Sequence, residues 1–187
     1  MKSAHEIIIA GFGGQGVLSM GMIIAYAALK EDKEISWMPS YGPEMRGGTA
    51  NCIVIVSEAR ISSPIITQFD SAIVLNQPSL DKFGPRVKPG GLLLCEQSSV
   101  VTPCTRTDID ILTIPAMEEA QKLQKKQIAN MIVLGAFLDR RPIVSPGNVL
   151  KALKEVLPER HHHLLPLNEQ ALKRGKELAQ EFMHEPA

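Results

Sequence analysis

The sequence predicts an α/β fold: an open, mostly parallel, Rossmann-like sheet flanked by helices, with a helical C-terminal end. Two observations support this. Six short apolar runs recur up to residue 115, and most are continuously apolar rather than alternating, as in strands covered on both faces. Helical stretches and Gly/Pro-rich turns separate several of these runs. Because no internal repeat or linker interrupts the pattern, residues 1–187 are predicted to form a single domain.

The elements follow in chain order. The apolar runs predict strands at 6–11, 35–40, 51–57, 71–76, 91–96 and 110–115. A helix is predicted at 17–30, between the first two strands, and a short helix with a turn at 78–87. After the last strand the chain is predicted to be helical at 116–141, 145–157 and 168–183. Ser145 followed by Pro146 resembles a helix N-cap with proline at the first helical position.

Composition excludes several classes of function. The 20 basic and 20 acidic residues balance, and aromatic residues make up only 4%, which argues against a nucleic-acid-binding protein. No apolar run approaches the length of a membrane span and the N-terminus lacks the layout of a signal peptide, so a cytoplasmic protein without membrane contact is expected. Three cysteines without a C-x-x-C pair predict no metal, zinc or iron–sulfur site on this chain.

A glycine-rich loop follows the first predicted strand. Gly11, Gly13 and Gly16 have the G-x-G-x-x-G spacing of nucleotide-binding loops, and Gly14 and Gln15 lie between them. Such a loop lets a phosphate approach the backbone amides at the positive end of a helix. No acidic residue ends the second strand to hold a ribose, which argues against NAD. Glycines that serve only close helix–strand packing remain an alternative.

A second segment, "SYGPEMRGGTANC" at 40–52, follows the second predicted strand. It is therefore expected at the carboxyl edge of the sheet, beside the glycine loop, where ligands of open α/β sheets bind. Arg46 is its only cation and can form a forked contact with a phosphate or carboxylate. A surface loop in which Arg46 pairs with Glu44 is the alternative. No arrangement of residues typical of a catalytic site accompanies this edge, so no catalytic residues are predicted. The candidate cofactor-binding residues are Gly11, Gly13, Gly14, Gln15, Gly16, Ser40, Tyr41, Arg46, Gly47 and Gly48.

Together, "GFGGQGVLSMG" and "PSYGPEMRGGTANC" closely resemble the gamma subunit of 2-oxoacid:ferredoxin (acceptor) oxidoreductases. "PSLDKF", "VKPGGLLL" and "IANMIVLGAFL" extend the resemblance over nearly the whole chain. It implies one gamma-type domain of the pyruvate/ketoisovalerate oxidoreductase kind over residues 1–187. "SYGPEMRGG" is most like the 2-oxoglutarate type, with branched-chain oxoacid enzymes next.

The resemblance implies oxidative decarboxylation of a 2-oxoacid with coenzyme A, giving acyl-CoA, carbon dioxide and reduced ferredoxin. Thiamine diphosphate and the iron–sulfur cluster then belong to partner subunits: alpha, beta and, in some complexes, a delta or ferredoxin-like subunit. The chain is expected to bind no cofactor alone and to be inactive in isolation, with coenzyme A handled at the glycine-loop edge. A purely structural docking subunit and a free-standing nucleotide-binding oxidoreductase are the two alternatives.

Overall fold

A computed structural model describes residues 4–41, 48–123 and 125–182 of the chain. All six predicted strands are confirmed: β1 Ala4–Phe12, β2 Glu34–Tyr41, β3 Thr49–Ser57, β4 Phe69–Val74, β5 Val87–Glu96 and β6 Asp110–Ile114. The helices are α1 Val17–Leu29, α2 Gln77–Phe83, α3 Ala116–Lys122, α4 Ala129–Arg140, α5 Pro146–Val156 and α6 Leu165–Glu181. The single helix predicted at 116–141 is wrong, because α3 ends at Lys122 and a short 3₁₀ turn, Lys126–Ile128, precedes α4.

The six strands form one sheet in the order β2-β3-β1-β4-β5-β6. β1, β4, β5 and β6 pair in parallel, whereas β3 is antiparallel to both of its neighbours, β2 and β1. Five of the six strands therefore share one direction, and only β3 is reversed. The predicted mostly parallel sheet is confirmed in this mixed form. β3 carries an apolar run at 52–56, as β1 does at 7–10, so its sequence alone could not indicate the reversal.

The sheet separates two apolar cores. Ile7 and Ile9 of β1 belong to the larger core, which contains buried residues of α1, α3, α4, α5 and α6. Ile8 and Ala10 of the same strand belong to the smaller core on the opposite face, with Leu80 of α2. All four β1 side chains are at most 1% exposed. Successive side chains of this continuously apolar strand point to opposite faces of the sheet, so β1 contributes to both cores.

The helices of the C-terminal end pack closely against one another. A side chain at Gly135 of α4 would overlap the Leu172 carbonyl of α6, and one at Gly175 would overlap the Ile132 carbonyl. The two helices therefore touch through their backbones, which requires the absence of a Cβ at both positions. Arg174 of α6 also donates to the Glu119 carboxylate of α3 at 2.7 Å.

The N-terminus of α5 is capped by a residue far away in sequence. Ser145 occupies the N-cap position and a proline opens the helix, as predicted, but the Ser145 side chain makes no capping hydrogen bond. Instead, the backbone N–H of Ser145 donates to Oε1 of Glu31 at 2.6 Å, and Asn148 Nδ2 donates to the same oxygen at 3.2 Å. Lys33 contacts the other Glu31 oxygen at 3.0 Å and donates to the Ile143 carbonyl at 2.8 Å. This cluster ties the α1–β2 turn to α5.

Candidate ligand-binding edge

The glycine loop lies where the helices diverge to opposite faces of the sheet. β1 and β4 are parallel neighbours, and α1, which follows β1, packs in the larger core. α2, which follows β4, packs in the smaller core on the other face. Such a divergence opens a crevice at the carboxyl ends of the two strands, which is the usual ligand position in open α/β sheets. The predicted position of the glycine loop at this edge is therefore confirmed.

The glycine loop is attached to both flanking strands. The Gln15 side chain accepts from the Phe12 N–H at 2.6 Å and donates to the Leu75 carbonyl, just beyond β4, at 3.1 Å. A Cβ at Gly11 would lie 2.6 Å from Gln15 Oε1, so glycine leaves the space that this side chain uses. Gln15 is thus a bridge between the ends of β1 and β4, a structural role that its position in the motif alone could not indicate.

Gly16 forms the N-cap of α1 in the left-handed conformation, with φ of 76°. A side chain here would also overlap the Asn130 carboxamide, which α4 brings against the loop. Gly14 has φ of 91°, and among the described residues no atom lies within 4 Å of where its Cβ would be. The two glycines therefore differ: Gly16 allows close packing with α4, whereas the outer side of Gly14 is unobstructed by described residues.

The second segment meets the glycine loop at the same edge. β2 ends at Tyr41, and the Gly48 carbonyl, just before β3, accepts from the Gly13 N–H at 2.9 Å. Ser40 is exposed near the end of β2 and lies opposite Asn51 of β3. Arg46 and Gly47, and the Tyr41 side chain, lie outside what the structure describes. Their predicted participation stays a prediction.

Two of the loop amides are already occupied. Gly13 N–H donates to Gly48, and Gln15 N–H donates to the Phe12 carbonyl at 3.2 Å. Over residues 4–41, 48–123 and 125–182, the amides of Gly14 and Gly16 have no acceptor. Together with the first-turn amides of α1, they are the donors available to an anion at this helix N-terminus.

A small cavity of about 210 Å³ adjoins the loop on the α4 side. Glu96, at the end of β5, is 2% exposed and accepts hydrogen bonds from Ser98, Ser99 and the Met117 N–H of α3. Its carboxylate thus caps the N-terminus of α3. Glu96 was not singled out from the sequence, although an acidic residue at the end of a predicted strand could have indicated it. The lining residues are Gly14, Gln15, Leu75, Glu96, Met117, Gln127, Ala129, Asn130 and Val133.

Asn76 is a further polar residue at this edge that sequence reasoning missed. It follows β4, is 1% exposed, and its Oδ1 accepts from the Ser79 N–H at 2.8 Å, which caps α2. Its Nδ2 is buried without a hydrogen-bond partner in the described part of the chain. Asparagine with a proline two positions later, Asn76 and Pro78, is a helix-start signal that the sequence did contain.

The described residues offer no activated nucleophile at this edge. Burial raises the pKa of the Cys52 and Cys95 thiols to about 12, so both are protonated at neutral pH. Over the described ranges, no group of histidine, cysteine and acidic side chains could hold a metal ion. No helix in those ranges is both long and apolar enough to cross a bilayer. What the described geometry provides is a small cavity and free backbone amides beside the glycine loop.

Sequence comparison identifies the family. A family model described as "Pyruvate ferredoxin/flavodoxin oxidoreductase" matches residues 6–178. The chain belongs to this family. The 2-oxoglutarate synthase subunit KorC of Methanocaldococcus jannaschii is 33% identical over 187 residues and covers 97% of each protein. The ketoisovalerate oxidoreductase subunit VorA of Methanothermobacter thermautotrophicus is 44% identical over 133 residues.

Coverage differs between these relatives. The VorA match covers 71% of this chain but only 28% of VorA. Among solved structures, the gamma subunit of a keto/oxoacid ferredoxin oxidoreductase from Geobacter sulfurreducens PCA has a TM-score of 0.81 at 30% identity, over 95% of this chain and 99% of that one. The 2-oxoglutarate:ferredoxin oxidoreductase of Magnetococcus marinus shares the fold with a TM-score of 0.88 at 24% identity. The resemblance to gamma subunits is thereby confirmed.

Proposed function

We propose that this chain is the gamma subunit of a multi-subunit 2-oxoacid:ferredoxin oxidoreductase, with coenzyme A received at the glycine-loop edge. The observation that carries the proposal is the position of the loop. It lies at the crevice between β1 and β4, with the Gly14 and Gly16 amides unoccupied within the described residues. A phosphate group of coenzyme A fits such donors at a helix N-terminus. The gamma-subunit match over nearly the whole length of two relatives supports the same conclusion.

Arg46 is the proposed second part of the anion site. It is the only cation in the segment that leaves β2 and returns at Gly48, beside the glycine loop. A guanidinium contact with a phosphate contributes about 1.5–3 kcal/mol. In the assembled complex, Arg46→Ala should therefore raise the KM for coenzyme A by about one to two orders of magnitude. Arg46→Lys should restore it only in part, because an ammonium cannot form the bidentate fork.

Arg60 supplies a matched control for this test. It is exposed and follows β3, whose reversed direction places it at the opposite edge of the sheet. Arg60→Ala should leave the KM for coenzyme A unchanged. If Arg46→Ala assembles normally and its coenzyme A dependence equals that of the wild type, the coenzyme A site is refuted. If the variant instead fails to co-purify with its partners, Arg46 serves the interface.

The proposed substrate is 2-oxoglutarate. KorC relatives match as separate chains of similar length, which supports this assignment. The higher identity to VorA over 133 residues supports a branched-chain oxoacid as the alternative. The complex purified through a tag on this chain should reduce a viologen dye faster with 2-oxoglutarate than with 2-oxoisovalerate or pyruvate. A preference for another oxoacid would refute the assignment.

The chain alone is proposed to be inactive. Its three cysteines contain no C-x-x-C pair, and two of them are buried and protonated, so they do not fit an iron–sulfur cluster. Thiamine diphosphate and the cluster are therefore assigned to partner subunits, where they supply carbanion and electron-transfer chemistry. Oxoacid-dependent viologen reduction by the isolated chain would contradict this assignment and favour a free-standing oxidoreductase.

A further inference from the structure

One half of the sheet is covered on a single face. α1 packs on β2 and β3 in the larger core, whereas α2, on the opposite face, lies over β4 and β1. Towards the carboxyl edge, the face of β2 and β3 that points away from α1 is left open in the described part of the chain. We call it the β2–β3 face; it consists of Phe12 at the end of β1 together with Met38, Ser40, Thr49, Asn51 and Ile53.

The composition of this face differs from that of a solvated surface. Met38 is 38% exposed and Phe12 is 37% exposed, and Met38 lies directly opposite the half-buried Ile53. The remaining members are serine, threonine and asparagine, so none of the six side chains is charged. Strands of α/β sheets are normally covered on both faces. Exposed methionine and phenylalanine without charge are typical of the centre of a protein–protein interface.

Contact through the face is favoured over extension of the sheet. β2 is the edge strand, and Pro39 lies in it opposite Cys52. A proline lacks the N–H that an added strand would use, and prolines are typical of edges that are protected against strand addition. A partner is therefore expected to pack its own apolar side chains on Met38 and Phe12.

The proposed occupant of the face is taken from a longer relative. The match covers only 28% of VorA, so the rest of that polypeptide, about two and a half times as long as the matched region, lies outside it. We propose that the β2–β3 face docks the separate subunit that corresponds to this remaining part of the longer relatives. The inference rests on the proposed function as a subunit of such a complex. Because Ser40 belongs to both surfaces, docking there also covers the ligand-binding edge.

Hydroxyl-radical footprinting of the free full-length chain and of the assembled complex tests the proposal directly. Met38 and Phe12 should be modified in the free chain and should lose reactivity at least about fivefold in the complex, as side chains buried at an interface do. Tyr26 and Leu29 on the outer side of α1 are 40% and 52% exposed and serve as controls. Because α1 lies on the opposite face of the sheet, their reactivity should stay the same in the complex.

A pair of variants adds an energetic readout. Met38→Asp places a charge in the centre of the face and should lower the yield of co-purified complex at least about tenfold. Leu29→Asp is the matched control, and it should assemble like the wild type. A thermal melt of each free variant within about 3 °C of the wild type shows that folding is intact.

The outcomes separate this inference from the proposed function. If a stoichiometric complex forms while Met38 and Phe12 stay reactive, or while Met38→Asp assembles normally, the docking face is refuted and the proposed function stands. If no partner subunit co-purifies with the wild-type chain, the proposed function itself fails, and the inference fails with it. If protection appears in the free chain and grows with its concentration, the face pairs two copies of this chain, which also overturns the inference.

Discussion

Replacing Glu31 with glutamine tests the long-range cap of α5. The Glu31 side chain is 18% exposed and joins three donors: the Ser145 N–H, the Asn148 carboxamide and the Lys33 ammonium. Burial raises the pKa of Glu31, but the hydrogen bond from the Ser145 backbone and the contact with Lys33 outweigh it and lower the pKa from 4.5 to about 2. Glutamine keeps the size and one acceptor oxygen but removes the charge.

The magnitude follows from this pKa difference. Holding the pKa at about 2 instead of 4.5 corresponds to about 3 kcal/mol of folding free energy, and partial solvent exposure reduces this to about 2 kcal/mol. Because the pKa is lower in the folded state, the stabilisation is complete above pH 4.5 and is lost as the pH falls towards 2. Glu31→Gln should therefore be about 2 kcal/mol less stable than the wild type at pH 7, with the difference closing below pH 4.5.

Urea denaturation of the two proteins between pH 7 and pH 2.5 measures this difference. Glu58→Gln is the matched control, because Glu58 also pairs with Lys33, at 3.3 Å, but is 72% exposed. It should cost less than about 0.5 kcal/mol at any pH. A Glu31→Gln variant as stable as the wild type at pH 7 would refute the capping argument. A difference that persists undiminished to pH 2.5 would show that the effect comes from packing rather than charge.

Three further outcomes test the candidate edge. Gly16→Ala should lose about 2–3 kcal/mol of stability in chemical denaturation, because the left-handed backbone is unfavourable for alanine and its Cβ would overlap the Asn130 carboxamide. Gly14→Ala has the unfavourable backbone but no overlap with described atoms, so it should lose about 1 kcal/mol. Equal losses of stability would contradict the close packing at Gly16. Gln15→Leu should raise the KM for coenzyme A of the complex about threefold to tenfold by releasing the loop from β4, and an unchanged KM would make the bridge irrelevant to binding. In the native chain at pH 8, iodoacetamide should label the half-buried Cys104 and leave Cys52 unmodified. Mass spectrometry of tryptic peptides measures the labelling of each cysteine. Rapid labelling of Cys52 would contradict its burial and its raised pKa.

Much of the fold follows from short-range patterns in the sequence. The six predicted strands are confirmed, and in β1, β4 and β5 the apolar run supplies buried side chains to the cores on both faces of the sheet. The glycine loop was placed correctly because a strand–loop–helix order brings it to the carboxyl edge whatever the remaining topology is. These features depend on residues that are close together in the chain.

Tertiary structure alone decided the features that join distant residues. The reversal of β3 between β2 and β1, the cap that Glu31 provides for Ser145, and the approach of Asn130 to Gly16 all bring together groups that no local pattern relates. The break between α3 and α4 is a further feature of this kind. The helical sequence pattern continues across it, so only the structure shows the turn that positions α4 against the glycine loop. The sequence by itself therefore determined which segments form strands and which edge of the sheet carries the glycine loop. Packing determined which amides stay available there, because that depends on acceptors that other elements bring to the edge.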